Sequence, residues 1–533
     1  MSRRRSSYSG SYSGLSRRDK GRKVPSPLPY LIIAILAGAG LGYFHLFAFK
    51  SLSGTVSDSY TSSPLAGVPV VVTGGVSPLA TPPAPPAVSI TATTGPKGEF
   101  HFEKVPDLPV VSVVVDGFTA QTVEAAGKSS IEFKLVPNVL RGMVRTPDGN
   151  PVPGASVISG KTRVLAGADG RYEIRGMAED RKLVIKAPGY LASSVEVAQV
   201  VTQDVTLQPF VAKAIYVSAD SLATPGKLQA LIDLVDRTEL NALVIDVKAD
   251  NSGDVLYASA LPLVHELGTS SAFIPDLNGL LAQLKGKGIY TIARLSVFWD
   301  QALTRAKPEW ALLSKKAPGQ PWLSGNGSRW ANPYMPEVWD YNIAIAKEVA
   351  QKGFDEVQFD FAYFPSVGEL DDIEYGPQAV GKKRVDAING FLERAYGELS
   401  PLGTYVGTNV LAFTPFVNDD MGIGTNLEML GANTDYICPY LYPSDYPDGF
   451  ADYTHPAEHP FDIVAGTMQP AVNRLANAGA KVRPWLQDFT IRNVTYDAAK
   501  VRAEIDAAEQ NGAAGWMLWN FGNTYTEGAL KGP

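Results

Sequence analysis

The chain has 533 residues, 45% apolar and 19% charged, with 39 prolines and 50 glycines; this is a folded, turn-rich composition with room for three or four domains. A net charge of -7 without a basic stripe beyond the first two dozen residues argues against a nucleic-acid surface, which needs clustered Lys and Arg. Cys438 is the single cysteine, which excludes an intramolecular disulfide framework and a cysteine-based metal cluster.

Residues 1–27 form a basic tail carrying Arg3, Arg4, Arg5, Arg17, Arg18, Lys20, Arg22 and Lys23. An apolar run over 28–49 follows, interrupted only by His45. It is long enough for the roughly 20 residues of a membrane-spanning helix and exceeds the roughly 7–15 residues of a signal-peptide core. The positive-inside preference then predicts a single-pass cell-membrane protein, with its N-terminus cytoplasmic and its C-terminal domains extracytoplasmic.

An internal repeat comes next, over 52–136 and 137–208. The first copy contains Ser53-Gly-Thr-Val56, Pro64-Leu-Ala-Gly-Val-Pro-Val70, Gly98-Glu-Phe100, Asp116-Gly-Phe118 and Phe133-Lys-Leu135. The second answers with Arg141-Gly-Met-Val144, Pro151-Val-Pro-Gly-Ala-Ser-Val157, Gly170-Arg-Tyr172, Pro188-Gly-Tyr190 and Val205-Thr-Leu207. Short alternating strands punctuated by Gly and Pro predict two small β-sandwiches. A Pro/Ala-rich stretch at 81–86 predicts an extended, solvated loop in the first copy. These motifs resemble carboxypeptidase regulatory-like domains, which implies a spacer or weak adhesion role.

From Phe210 to the last residue, strands alternate with helices, the α/β pattern. Eight β-like runs are expected at Ala214–Val217, Ala242–Val247, Ile289–Leu295, Glu356–Phe361, Tyr405–Leu411, Tyr436–Leu441, Val482–Leu486 and Gly515–Trp519. Helices are expected at Lys227–Thr238, Asp276–Lys287, Glu337–Lys352, Lys382–Leu399 and Thr495–Asn511. Eight such units fit a (β/α)8 TIM barrel over 210–533, whose working residues sit at the carboxyl ends of the strands.

The stretch from Gly353 to Pro365 is the most informative of these runs. The two-residue period of a strand puts Glu356, Gln358 and Asp360 on one face and Val357 and Phe359 on the other, so Asp360 is delivered to a rim of aromatic rings. Asp246, Lys248, Arg294, Asn409, Tyr440, Tyr442, Asp445, Gln487, Asp488, Trp519 and Asn520 stand at or just after the other strand ends, with Trp299, Trp330, Tyr334, Tyr363 and Trp485 close by in sequence. Rings that stack on sugar C–H faces, beside polar groups that bind hydroxyls, suit a carbohydrate groove.

The stretch 216–525 resembles a family of glycoside hydrolase domains of otherwise unknown function in the TIM-barrel glycosidase clan. The motifs that carry the resemblance are Val244-Ile-Asp-Val-Lys248, Tyr290-Thr-Ile-Ala-Arg294, Trp330-Ala-Asn-Pro-Tyr334, Val338–Lys347, Gly353–Pro365, Pro439-Tyr-Leu-Tyr-Pro-Ser444, Arg483-Pro-Trp-Leu-Gln-Asp-Phe489 and Gly515-Trp-Met-Leu-Trp-Asn520. The resemblance implies a polysaccharide or oligosaccharide substrate and adds Asn332 to the substrate-binding candidates. In that pattern an Arg commonly replaces Tyr363, a His replaces Asp445 and an acidic residue replaces Asn409; these departures imply altered specificity or lost catalysis.

Glycoside hydrolysis ordinarily takes two carboxyl groups. Asp360 is the expected nucleophile, because barrel glycosidases that this chain resembles place a catalytic carboxylate at the end of the fourth strand. Asp488 is the expected acid, with Asp445 as the alternative. Desolvation by Trp485, Phe489 and Tyr442 would favour a protonated acid, and Arg294 and Lys248 would keep neighbouring carboxylates ionised.

His455-Pro-Ala-Glu-His459 has the letters of an inverted zinc-protease motif, but Pro456 takes His455 out of helical geometry and Pro460 is expected to end any turn, so a loop and no metal site is expected. No dinucleotide or phosphate-cradling glycine motif follows a strand, so no nucleotide cofactor is expected. The expectation is a membrane-anchored glycoside hydrolase acting on an extracellular or cell-envelope polysaccharide. The alternative is a non-catalytic polysaccharide-binding barrel on a membrane-tethered stalk.

Overall fold

The computed structural model describes residues 51–74, 89–106, 108–491 and 494–533. The apolar run expected to span a membrane and the Pro/Ala-rich loop at 81–86 lie outside these residues. Among the described residues, no helix is long and apolar enough to cross a membrane.

The chain forms two compact units, one holding the first repeat and the other holding residues from 136 onward. In the first unit, Leu52–Asp58 is the central strand of a three-stranded sheet between Glu99–Phe102 and Ser130–Leu135, and a four-stranded sheet runs in the order Ser89–Thr93, Pro69–Gly74, Pro109–Val113, Gln121–Glu124. The second repeat builds the same pair of sheets, with Val139–Arg145 between Arg171–Arg175 and Val205–Thr206, and Thr162–Leu165, Ser156–Ser159, Lys182–Lys186 and Ser193–Glu196 in order beside them. Alternating burial along Ser130–Leu135 and Arg171–Arg175 turns every second side chain inward, as the strand period requires.

The Gly-x-aromatic motif has the same backbone reason in both copies. Gly98 and Gly170 have φ of +73° and +75°, and a Cβ added to them would meet the carbonyl oxygens of Val56 and Val144 at 2.3 and 2.5 Å. Only glycine fits a left-handed residue under such a close backbone approach.

Eight parallel strands then close into a ring: β1 (Ala212–Val217), β2 (Ala242–Lys248), β3 (Tyr290–Ser296), β4 (Glu356–Asp360), β5 (Tyr405–Val410), β6 (Tyr436–Leu441), β7 (Trp485–Gln487) and β8 (Gly515–Trp519). Each pairs with its sequence neighbour, and β8 returns to β1 through the register Ala212↔Gly515 to Ile215↔Leu518. The expected run Val482–Leu486 is split at Pro484, leaving Lys481–Val482 as a separate short strand, because proline lacks the N–H that a ladder needs.

The parity read for β4 holds. Val357 and Phe359 pack outward with Phe391 and Leu392 of the helix Arg384–Leu399, whereas Glu356, Gln358 and Asp360 fill the barrel interior in successive layers. At the floor, Glu356 Oε2 accepts from Arg483 Nη1 at 2.6 Å, with that guanidinium 3.5 Å from the Tyr436 ring centre. Gln358 lies one layer up between Cys438 and Met517. Asp360 is in the uppermost layer. Side chains stacked in layers make the interior a packed core, so a ligand site belongs at the mouth.

The helix Pro460–Arg474 differs from the expectation that Pro460 ends a turn. Pro460 is its first residue, where the missing N–H costs nothing and the fixed φ suits the helix. His459 precedes it, stacked 4.0 Å from the Tyr453 ring, and His455 Nδ1 is 3.5 Å from Asp448.

The second sandwich sits on the amino-terminal end of the barrel. Lys186, wholly buried, donates from Nζ to Asp435 Oδ2 at 2.7 Å and to the Thr404 carbonyl at 2.9 Å. Tyr405 Oη donates to the Tyr190 carbonyl at 2.8 Å, and Gly189 N donates to Tyr436 Oη at 3.1 Å.

Candidate active site

A cavity of about 410 Å³ opens at the carboxyl ends of the barrel strands, lined by Asp250, Arg294, Phe361, Leu411, Ala412, Phe413, Tyr440, Tyr442, Asp445, Tyr446, Trp519 and Phe521. Strands β3, β6 and β8 supply Arg294, Tyr440 and Trp519, and the loops after β2, β4, β5, β6 and β8 supply the rest.

Arg294 is the hub. Its Nε donates to Asp360 Oδ2 at 2.8 Å, its Nη1 to Asp246 Oδ1 at 2.8 Å and its Nη2 to Asp250 Oδ2 at 2.7 Å, with a further Nη2 contact to Asp360. The guanidinium lies 5.1 Å from the Trp519 ring centre and 5.7 Å from that of Tyr216; those two rings stack at 4.0 Å. Tyr216 Oη donates to Asp246 Oδ2 at 2.6 Å. One buried cation thus holds three carboxylates, an arrangement that burial makes costly unless every charge is bonded.

Hydrogen-bond polarity runs inward from Trp485. The indole Nε1 can only donate, so the atom of Asn409 3.0 Å away is the amide oxygen. That assignment turns Asn409 Nδ2 toward Tyr440 Oη, to which it donates at 3.0 Å. Tyr440 must then give its own hydrogen to Asp360 Oδ1, which also accepts from Phe361 N at 2.8 Å. Asp360 therefore takes four donors, is wholly buried and does not line the cavity. Phe361 follows it at φ +48°, and its ring, rather than the Asp360 carboxylate, meets the open space.

Asp250 has a different setting. Its carboxyl is pushed up from 3.8 to about 7, first by burial, then against the pull of Arg294 by the charges of Asp360 and Asp246. Its Oδ1 is buried with no hydrogen-bond partner among the described residues, while the side chain as a whole keeps 31% exposure. A carboxyl group that holds its proton up to neutrality at the wall of a cavity has the properties of a general acid.

The structure gathers Asp246, Arg294, Asp360, Asn409, Tyr440, Tyr442, Asp445, Trp485 and Trp519 at the mouth and sends other candidates elsewhere. Lys248 does not reach the cavity; it is buried against Asp300 at 2.6 Å and donates to the Ser296 carbonyl. Asp488, the expected acid, is turned to Thr526, whose N and Oγ1 donate to its two oxygens at 2.8 and 2.6 Å. Asn520 braces that same loop through Gly522 N and the Asp488 carbonyl. Gln487 ties Ser444 to Phe489 behind the wall.

Asn332 shapes a turn between Tyr375 and Tyr334, and Tyr334 packs on Phe364. Trp299 and Trp330 stack behind Phe361, with Tyr363 beside Trp330; these rings support the wall without lining the cavity. Asp250, Phe361, Phe413, Tyr446 and Phe521 line it without having been singled out in the sequence. For Asp250 strand parity gave no signal, because the register shifts between Asp246 and Lys248 and the strand ends at Lys248.

A sequence profile of the family described as "Putative glycosyl hydrolase domain" matches residues 214–525, and one for the carboxypeptidase regulatory-like domain matches residues 139–208. Among solved structures, a hypothetical protein from Ruminiclostridium thermocellum is 33% identical over 39% of this chain and 98% of its own, with a TM-score of 0.33. The PgaB (BpsB) glycoside hydrolase domain from Bordetella bronchiseptica is 17% identical over 58% of this chain and 94% of its own, with a TM-score of 0.44. A chitinase from Chromobacterium violaceum is 14% identical over 60% of this chain and 97% of its own, with a TM-score of 0.36. No curated protein matches the chain. With more than half of its length matched by one profile on a closed eight-stranded barrel, the chain belongs to that glycosyl hydrolase domain family.

Proposed function

We propose that this protein hydrolyses O-glycosyl bonds in an extracytoplasmic polysaccharide, with Asp250 as the general acid and Asp445 as the second carboxylate. The observation that carries the reading is Asp250 itself: a carboxyl raised to about 7 on the wall of a ring-lined cavity that also contains Asp445. Asp250 gives its proton to the glycosidic oxygen as the bond breaks. Asp445 attacks the anomeric carbon or activates water there. Trp519, Tyr442 and Phe521 offer faces for the sugar rings.

Asp360 takes the role of a positioning residue in place of a nucleophile. Its oxygens hold Arg294 and Tyr440, and its charge helps keep the proton on Asp250. The basic tail and apolar run at the N-terminus support anchoring in the cell membrane with the barrel outside. The shared strand order supports reading the first repeat, like the second, as a carboxypeptidase regulatory-like spacer.

Substitution tests the assignment. Asp250→Asn should lower turnover of polysaccharide by about 10²–10⁴-fold, the usual contribution of a positioned acid, but should lose far less on aryl glycosides whose leaving group needs no proton. Asp445→Asn should be impaired on both. Equal losses on the two substrates for Asp250→Asn would remove it as the acid. Binding of glycan by the parent with no product from any polysaccharide would favour a binding barrel instead.

A further inference from the structure

We propose that the cavity rejects sugars bearing carboxylate or sulfate groups in favour of their uncharged counterparts. The inference rests on the hydrolase reading above and specifies the class of polymer that the site accepts.

Recognition of an anionic sugar requires a cation with donors to spare. Arg294 is the single Lys or Arg among the described residues that line the cavity, and it is already committed. Its Nε and Nη2 serve Asp360, its Nη1 serves Asp246 and its Nη2 also serves Asp250. Three carboxylates on one guanidinium leave two formal negative charges, or one when Asp250 carries its proton. Asp445 also lines the cavity, from the loop after β6. Lys248, the cation that follows Asp246 on β2, is spent on Asp300 and the Ser296 carbonyl.

The neutral polar groups point the same way. The Tyr440 hydroxyl has its hydrogen committed to Asp360 by the chain of donors that starts at Trp485, so it has none to offer an anionic group. A sugar hydroxyl satisfies such a wall by donating to a carboxyl oxygen there. A uronate or sulfate instead brings a like charge up to these carboxylates, which repel it.

The test is binding by the full chain, followed through tryptophan fluorescence, for matched oligosaccharides: mannose against mannuronate oligomers, glucose against glucuronate oligomers, and one backbone with and without sulfate. In about 50 mM salt the neutral member of any pair that binds should bind at least about tenfold more tightly, and the gap should close in about 1 M salt, where the screening length falls to about 3 Å. Asp445→Asn should narrow the gap at low salt. An anionic member that binds as tightly as its neutral partner, or a gap indifferent to salt, would overturn the selectivity while leaving the hydrolase reading intact. Absence of binding to every saccharide in the panel would remove both.

Discussion

Asp250 draws its chemistry from its neighbours, and the same neighbours fix how it affects stability. Burial raises its carboxyl from 3.8 to about 7 in the folded chain. Folded protein therefore binds more protons than unfolded protein between about pH 4 and 7, and stability is lost as pH rises through that window. Asp250→Asn keeps an oxygen for Arg294 Nη2 and abolishes the titration. Its melting temperature should exceed that of the parent at pH 8, by the equivalent of on the order of 1 kcal/mol once the open side of the group is allowed for, and should converge with it at pH 4. Polysaccharide turnover by the parent should fall above about pH 7, as the acid form disappears. A variant that gains stability where the parent loses activity would separate the two roles of one proton.

At the scale of elements, the glycines of the repeat are as decisive as its apolar residues. Gly170→Ala would force a Cβ to within 2.5 Å of the Val144 carbonyl at a φ of +75°, and should destabilise the second sandwich by about 1–3 kcal/mol, visible as a lowered thermal midpoint. Such positions were legible because Gly-x-aromatic recurs at matching places in both copies. The barrel was legible for a related reason: parallel strands buried on both faces read as short apolar runs, and Tyr436–Leu441 and Gly515–Trp519 were bounded to the residue. The helix Pro460–Arg474 was hidden by Pro460 and Pro470, which resemble breakers when the helix start is unknown. Site residues were harder to place, because a strand end fixes only the layer of a side chain. Asp488 and Lys248 occupy the expected ends yet turn to Thr526 and Asp300, partners far away in the chain or beyond a loop. Asp250 and Phe521 lie in loops, where the two-residue period ends.

For the molecule as a whole, the joint between the second sandwich and the barrel is a folding matter as well as a contact. Lys186→Ala would leave Asp435 buried without its cation, and loss of one partner of a buried pair typically costs about 3–5 kcal/mol. Calorimetry should then show the sandwich and barrel melting together in the parent and at a markedly lower temperature in the variant; an unchanged midpoint would mean the pair contributes little. This joint covers the strand starts, at Thr404 and Asp435, while the cavity opens at the strand finishes. The sandwich is therefore behind the barrel, at the end away from the cavity mouth. The lysine latch thereby fixes the bearing of the cavity mouth relative to the second sandwich, so that the two turn as one piece.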